Sequence, residues 1–285
     1  FRVTCSSKSS CYAGAGVIMY IQVDNANTFV ATGGKPFDTS LPTVVLLHGS
    51  GTDHRGWALQ ARWFAFHGYS VFTPDFPAHS LSGGEALTSI EAMGAWLVRA
   101  LNTAKVNKVH LVGHSQGFLV ALEAAALLCD LGDQVKSVTA LATASAIPVN
   151  PALVETAQTN PKAAAAMMLQ WGFGTQHQYG ASAVPGMQPI GVGARIVANN
   201  PLAEDLAACN AYTKGSQRAQ QLAAMGCPSC VILAGQDRMT PKREGLKLAQ
   251  DLNTQAQVVE GSGHMLPMEA PKKSLKIMKI FIQSV

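Results

Sequence analysis

Charge is scarce in this sequence. Charged residues make up only 13% of the 285, and the 21 basic and 17 acidic side chains are spread along the chain rather than blocked together. The net charge of +4 therefore comes with no basic stripe of the kind that attracts nucleic acid or an anionic membrane. Lys272, Lys273, Lys276 and Lys279 read as the solvated face of one helix. No apolar run reaches the roughly 18–20 residues that span a bilayer. The first ten residues lack the apolar stretch of a signal peptide, and a start at Phe1 rather than Met reads as a trimmed end. A hydrophobic content of 48% excludes a disordered chain. Internal repeats are absent.

Cysteine is too sparse for a disulfide scaffold. Of the six, Cys5 and Cys11 lie in a Ser-rich tail and can pair in an oxidising compartment. Cys227-Pro-Ser-Cys230 has redox or metal spacing, but no second Cys pair or His cluster completes a zinc site. It runs straight into Val231-Ile-Leu-Ala, so a strand start with buried thiols is the expectation. Cys129 and Cys209 read as small core residues. The thiols favour a reduced, cytoplasmic protein, with a secreted or periplasmic one as the alternative.

What is present is an alternation of strands and helices. After a tail over 1–16, Val17–Val23 and Thr28–Ala31 read as a strand pair turned at Asp24-Asn25-Ala26-Asn27. Thr43–Leu47 is wholly apolar, which suggests burial on both faces, as in a parallel sheet. A helix over about Trp57–Phe66, a strand at Ser70–Thr73, a helix over Ile90–Leu101, a strand at Lys108–Val112, a helix over Phe118–Leu128 and a strand at Val135–Leu141 follow. The alternation stops after Ala142. It resumes with Val231–Ala234, a helix over Lys242–Leu252, a strand at Ala256–Glu260 and a last helix over Ser274–Ile282. This order predicts an α/β fold with a mostly parallel central sheet and helices on both faces. Its core spans 17–146 and 213–285, and a helical cap is inserted at 147–212. In such sheets ligands bind outside the carboxyl ends of the strands, so an insertion there bears on the site.

Gly113-His-Ser115-Gln-Gly117 carries the chemistry. It has the form G-x-S-x-G, and a strand runs into it while a helix runs out. So sharp a turn leaves no room for side chains two residues either side of its apex, and Gly113 and Gly117 supply that space. A serine hydroxyl needs a base within hydrogen-bond reach. Of the eight histidines, His264 is the candidate, in Gly261-Ser-Gly-His264 just past a strand. His114 must point away at the elbow, and His48 braces the loop after the first parallel strand. The acid that orients the imidazole falls to Asp237, which follows the strand ending at Ala234. The rival location, Ala142-Thr-Ala-Ser, offers no carboxylate. As a mere helix cap Asp237 is less natural, because Thr240 already precedes Pro241. Two backbone N–H groups must meet the developing oxyanion, each worth about 3–4 kcal/mol. One is expected from Gln116 at a helix N-terminus. The other is expected from His48-Gly-Ser50-Gly, with Ser50 favoured and Gly51 in reserve.

The order Ser, Asp, His, the His48-Gly-Ser-Gly loop and the segment Asp75-Phe-Pro-Ala-His79-Ser-Leu-Ser82 together resemble the α/β-hydrolase superfamily. That family often carries D-x-P-G-H-G-x-S at the last of these places; here Ala78 and Ser80 stand where glycines are usual. The resemblance covers about residues 17–285. Within the superfamily it is similar to the single-domain esterases and lipase-like hydrolases with a helical cap, and it implies water as second substrate and an acyl-enzyme intermediate. Phe118, where glycine is common, is expected to narrow the pocket floor. In the insertion, Met167, Met168, Leu169, Trp171, Phe173, Met187 and Ile190 form either an apolar lid or the insertion's own core. Trp171 and Met168 are the expected substrate contacts. Arg195 alone is weak support for an anionic substrate.

The expected activity is a carboxylesterase-like serine hydrolysis of small to medium esters. No cofactor, metal, nucleic acid or membrane span is called for, and the oligomeric state is left open. Alternatives keep the triad for a carbon–carbon or thioester bond, or for a cofactor-free haloperoxidase. An alternative of another class is a ligand receptor with a slow triad.

Overall fold

The first strand pair, β1 (Ile18–Val23) and β2 (Ala26–Ala31), is antiparallel and pairs Val23 with Ala26. The connection is therefore just Asp24-Asn25, both left-handed at φ 51° and 63°, the twist that suits a two-residue hairpin. The turn is tighter than the four residues the sequence suggests, and Ala26 and Asn27 belong to the strand.

The computed structural model describes residues 18–130, 135–178 and 189–285. Beyond the hairpin come β3 (Thr43–Leu47), α1 (Ala58–Ala65), β4 (Ser70–Pro74), α2 (Ile90–Thr103), β5 (Val109–His114), α3 (Gln116–Asp130) and β6 (Val135–Leu141). A short 3₁₀ turn over His54–Trp57 leads into α1. Among the described residues, five helices then fall within the interrupted stretch. They are α4 (Pro151–Thr159), α5 (Pro161–Gly172), α6 (Thr175–Gln178), α7 (Pro189–Val197) and α8 (Leu202–Ala211). The chain continues through α9 (Gly215–Ala224), β7 (Ser229–Ala234), α10 (Lys242–Asp251), β8 (Ala256–Val259), α11 (Leu266–Glu269) and α12 (Pro271–Gln283). Helix α9, rich in Gln and Ala, has no counterpart in the expected pattern.

The strands form one sheet in the order β1-β2-β4-β3-β5-β6-β7-β8. From β4 to β8 every pairing is parallel, and β2 joins β4 antiparallel. β3 shows why its apolar run does not alternate. Val45 and Leu47 point into a core shared with α2, α3 and α10, while Val44 and Leu46 point into one shared with α1 and α12. Burial on both faces makes Val44 through Leu47 all apolar, and each such side chain contributes about 1.5–3 kcal/mol when fully buried.

The inserted helices have a separate core, built from Leu153, Ala164, Leu169, Phe173, Val197 and Leu202 among others. Among the described residues no helix is long and apolar enough to cross a membrane.

Candidate active site

Ser115 lies between the end of β5 and the start of α3, with φ at 53°. A left-handed serine costs on the order of 1–3 kcal/mol and persists only where its surroundings over-determine it. Here the Ser115 N–H donates to the Leu141 carbonyl at 3.1 Å, and the Thr143 hydroxyl donates to the Ser115 carbonyl at 2.9 Å. The flanking glycines have the steric role the motif suggests. A Cβ on Gly113 would lie 2.3 Å from the Phe118 backbone, and one on Gly117 would lie 2.4 Å from the Leu47 carbonyl oxygen.

His264 follows β8 and Asp237 follows β7, so both arrive at the same edge of the sheet as Ser115. The imidazole Nδ1 is 2.9 Å from Asp237 Oδ2. Asp237 Oδ1 accepts the N–H groups of Met239 and Thr240 at 2.9 and 2.8 Å, and the Thr240 hydroxyl donates to Oδ2 at 2.8 Å. Burial alone would push this carboxyl up, but His264 and these donors outweigh it and hold it below the usual carboxylate range. Thr240 makes no side-chain cap on α10; its hydroxyl is turned to Asp237 instead.

Two side chains grip the backbone of the His264 loop, whose His264 N–H also donates to the Gly172 carbonyl at 2.6 Å. The His114 ring, through Nε2, donates to the His264 carbonyl at 2.7 Å. Burial and the neighbouring His264 push His114 down to about 3, so it is neutral. Glu269 accepts the N–H groups of Gly263 and Met265, on either side of His264, at 2.9 and 3.0 Å. It also accepts Gly174 N–H from the insertion at 2.9 Å. Burial raises the Glu269 pKa despite these donors.

The loop after β3 lies against the nucleophile, since a Cβ on Gly49 would stand 3.2 Å from Ser115 Cβ. Three donors converge on the Gly49 carbonyl: the Thr52 N–H at 3.1 Å, the Thr52 hydroxyl at 2.8 Å and His48 Nδ1 at 3.0 Å. In a trans peptide the C=O and N–H point in opposite directions, so the Ser50 N–H faces away from those donors. Gly51 N–H is already committed to Asp205 Oδ2 at 2.6 Å, which removes Gly51 as an alternative donor. The Gln116 N–H is at the first residue of α3, where no preceding turn supplies an acceptor. His48 also takes the Phe76 N–H on Nε2 at 3.2 Å, and burial pushes its pKa down to about 4.

A cavity of about 390 Å³ opens beside Ser115 and His264. Gly49, Ser50, Met168, Trp171, Leu206 and Arg238 are among the residues lining it. Trp171 and Met168, the expected substrate contacts, both line this cavity. Phe118 does not line the cavity: it is fully buried in the core beneath α3. The helix turns that position inward to the sheet, and the expectation of a pocket floor at Phe118 is corrected. Met167, Leu169, Phe173 and Ile190 pack in or against the insertion's own core, and Met187 lies outside the described residues. Arg238 was not anticipated. It bridges to the carbonyls of Trp171 and Gln170 at 3.2 and 2.7 Å. Cys209 lines the cavity with its thiol 3.6 Å from Ser50 Oγ, and burial pushes that thiol up to about 12. Cys227 and Cys230 are free thiols, both pushed up to about 12 by burial, while Cys5 and Cys11 lie outside the described residues.

Among known proteins, this chain is 26% identical to 3-oxoadipate enol-lactonase 1 of Acinetobacter baylyi over 250 residues, 86% of this chain and 90% of that protein. It is 32% identical to (E)-2-((N-methylformamido)methylene)succinate hydrolase of the same organism, over 78 residues that span 27% of this chain and 29% of that protein. The enol-lactonase structure from Burkholderia xenovorans LB400 superposes with a TM-score of 0.77 at 21% identity, covering 93% of this chain and 99% of that one. A thermophilic esterase superposes with a TM-score of 0.76 at 21% identity, covering 94% and 97%. These structures share the fold. The model of the alpha/beta hydrolase family matches residues 44–275, from β3 into α12, and the chain belongs to that family.

Proposed function

We propose that this protein is a serine hydrolase that cleaves carboxylic esters of small to medium size. Ser115 Oγ attacks the ester carbonyl while His264 Nε2 takes its proton. Asp237 accepts the Nδ1–H, fixes the tautomer and stabilises the imidazolium. The oxyanion is received by the N–H groups of Ser50 and Gln116. Collapse breaks the acyl–oxygen bond, and the alcohol leaves with the proton from His264. Water then enters, His264 deprotonates it, and the acyl-enzyme is hydrolysed to the acid with Ser115 restored. The observation that carries this reading is the 2.9 Å contact from Asp237 to His264, at a cavity lined by both His264 and the strained Ser115.

The insertion acts as the cap, with Met168 and Trp171 against the acyl or alcohol group. A volume of about 390 Å³ falls at the small end of the range for ligand sites. A panel of p-nitrophenyl esters of increasing chain length tests the reading: turnover with an optimum at short to medium acyl groups is expected, and no turnover of any member by folded protein overturns it.

A second reading, a cyclic ester as substrate, is favoured by the enol-lactonase that matches most of the chain. Intact-mass measurement separates the two. A lactone leaves its whole mass on Ser115, because the alcohol stays tethered to the acyl group; an open ester leaves the acyl part alone.

A further inference from the structure

Asp205, which the proposed chemistry does not use, gathers three partners around the loop after β3. It comes from α8, in the insertion, and is fully buried. Its Oδ2 accepts Gly51 N–H at 2.6 Å and lies 2.9 Å from His79 Nε2, and its Oδ1 accepts the Gln116 side-chain amide at 3.2 Å. One carboxylate thus touches both halves of the proposed oxyanion pocket, the residue after Ser50 and Gln116 itself. Asn200, just ahead of α8, holds the other side of the same loop. Its amide donates to the carbonyls of Gly51 and Thr52 at 2.9 and 3.0 Å, and its oxygen accepts Ser80 N–H at 2.9 Å.

Gly51 is therefore held on its N–H by Asp205 and on its carbonyl by Asn200, both from the insertion. The peptide that carries the Ser50 N–H is the one immediately before. Its carbonyl accepts from Thr52 and His48, and Thr52 directly follows Gly51. The anchors on Gly51 therefore hold the Thr52 donors against that carbonyl, and through the planar peptide they hold the Ser50 N–H.

We propose that Asp205 is a positioning residue: through Gly51 it sets the direction of the Ser50 N–H, and so makes the oxyanion pocket complete only when the insertion is seated. The proposal rests on the reading of the site as a serine hydrolase. Its chemistry predicts a selective loss. Substrate binding depends on the cavity walls, whereas a misdirected oxyanion donor is felt only as charge develops.

Asp205→Ala leaves Gly51 N–H without its acceptor. Asp205→Asn keeps an oxygen for Gly51 and His79 and places an amide toward Gln116, whose Oε1 is buried without a partner and can accept it once that amide turns over. With p-nitrophenyl butyrate, kcat of Asp205→Ala is expected to fall about 10- to 100-fold with KM within about threefold, and Asp205→Asn to recover most of the loss. Affinity for a trifluoromethyl ketone, whose serine adduct carries an oxyanion, should fall by the same factor as kcat. Should Asp205→Ala not fold, Asn200→Ala, which frees the other side of Gly51, carries the test with an expected three- to tenfold fall in kcat. Unchanged kcat in a folded Asp205→Ala, or a loss that appears in KM with the ketone affinity intact, overturns the proposal. If wild-type protein neither turns over the ester nor reacts with a fluorophosphonate, the reading of the site fails first.

Discussion

Asp237 divides its two oxygens between different tasks. Oδ2 faces His264 Nδ1 at 2.9 Å, while Oδ1 is occupied by the N–H groups of Met239 and Thr240. The donors on the carboxylate thereby hold it in one orientation toward the imidazole. Asp237→Asn presents an amide where an acceptor is needed, and kcat is expected to fall by about 10⁴ with the fold intact. Thr240→Val removes the hydroxyl that lies 2.8 Å from Oδ2, and a milder loss of about three- to tenfold is expected. Steady-state kinetics on one ester measures both. A slight effect of Asp237→Asn would place the acid elsewhere.

Trp171 bounds the cavity from the insertion and packs partly against that segment's own core. Trp171→Ala should lengthen the cavity, shifting the chain-length optimum upward by several carbons while kcat on the shortest ester stays within a few-fold. The p-nitrophenyl series reads this directly, and an unmoved optimum would contradict it.

The loop around His79 keeps a left-handed backbone without the usual glycines. Ala78 has φ 63° and Ser80 has φ 47°, so the conformation survives and its cost is borne as strain of about 1–2 kcal/mol per residue. Glycine would relieve that strain and give back about 0.5–1 kcal/mol in the unfolded chain. Ala78→Gly is therefore expected to stabilise the protein by roughly 0.5–1 kcal/mol in urea unfolding. A loss of stability would mean that the Ala78 methyl has a packing role that outweighs the strain.

The His79–Asp205 pair gives stability a pH window. Burial alone would lower the His79 pKa, but Asp205, Pro77 and Asp75 outweigh it and raise it above 6.5. Burial would raise Asp205, but His79 and Gly51 N–H hold it below 3.8. A raised histidine contributes fully below its unfolded value and loses its contribution as pH rises through the folded one. A depressed carboxyl contributes fully above its unfolded value and loses it as pH falls through the folded one. The pair is thus at full strength between about 4 and 6.5. The Tm advantage of wild type over Asp205→Asn should be largest in that window and shrink at alkaline pH; a constant difference from pH 5 to 9 would contradict it.

The elbow was readable because two glycines, an apolar strand and an Ala/Leu-rich helix all point to one turn, and β3 and β6 match their expected limits. The contact between His264 and Asp237 was foreseeable because both follow strand ends. Asp205 was not. Within Leu202-Ala-Glu-Asp205-Leu it looks like an ordinary first-turn acid, and its partner His79 is 126 residues away. Phe118 misled for the opposite reason: it is next to the site in sequence, yet helical periodicity turns it inward. Glu269 carried no motif signal among the residues considered, since its partners are backbone groups, which sequence does not display.

The most direct test of the central claim is intact-mass analysis after brief exposure to a fluorophosphonate. Wild type should gain one phosphonyl group, mapped to Ser115; Ser115→Ala should gain none, and folded His264→Ala should react at least about 10³-fold more slowly. Labelling at another residue, or equally fast labelling without the imidazole, would contradict the account.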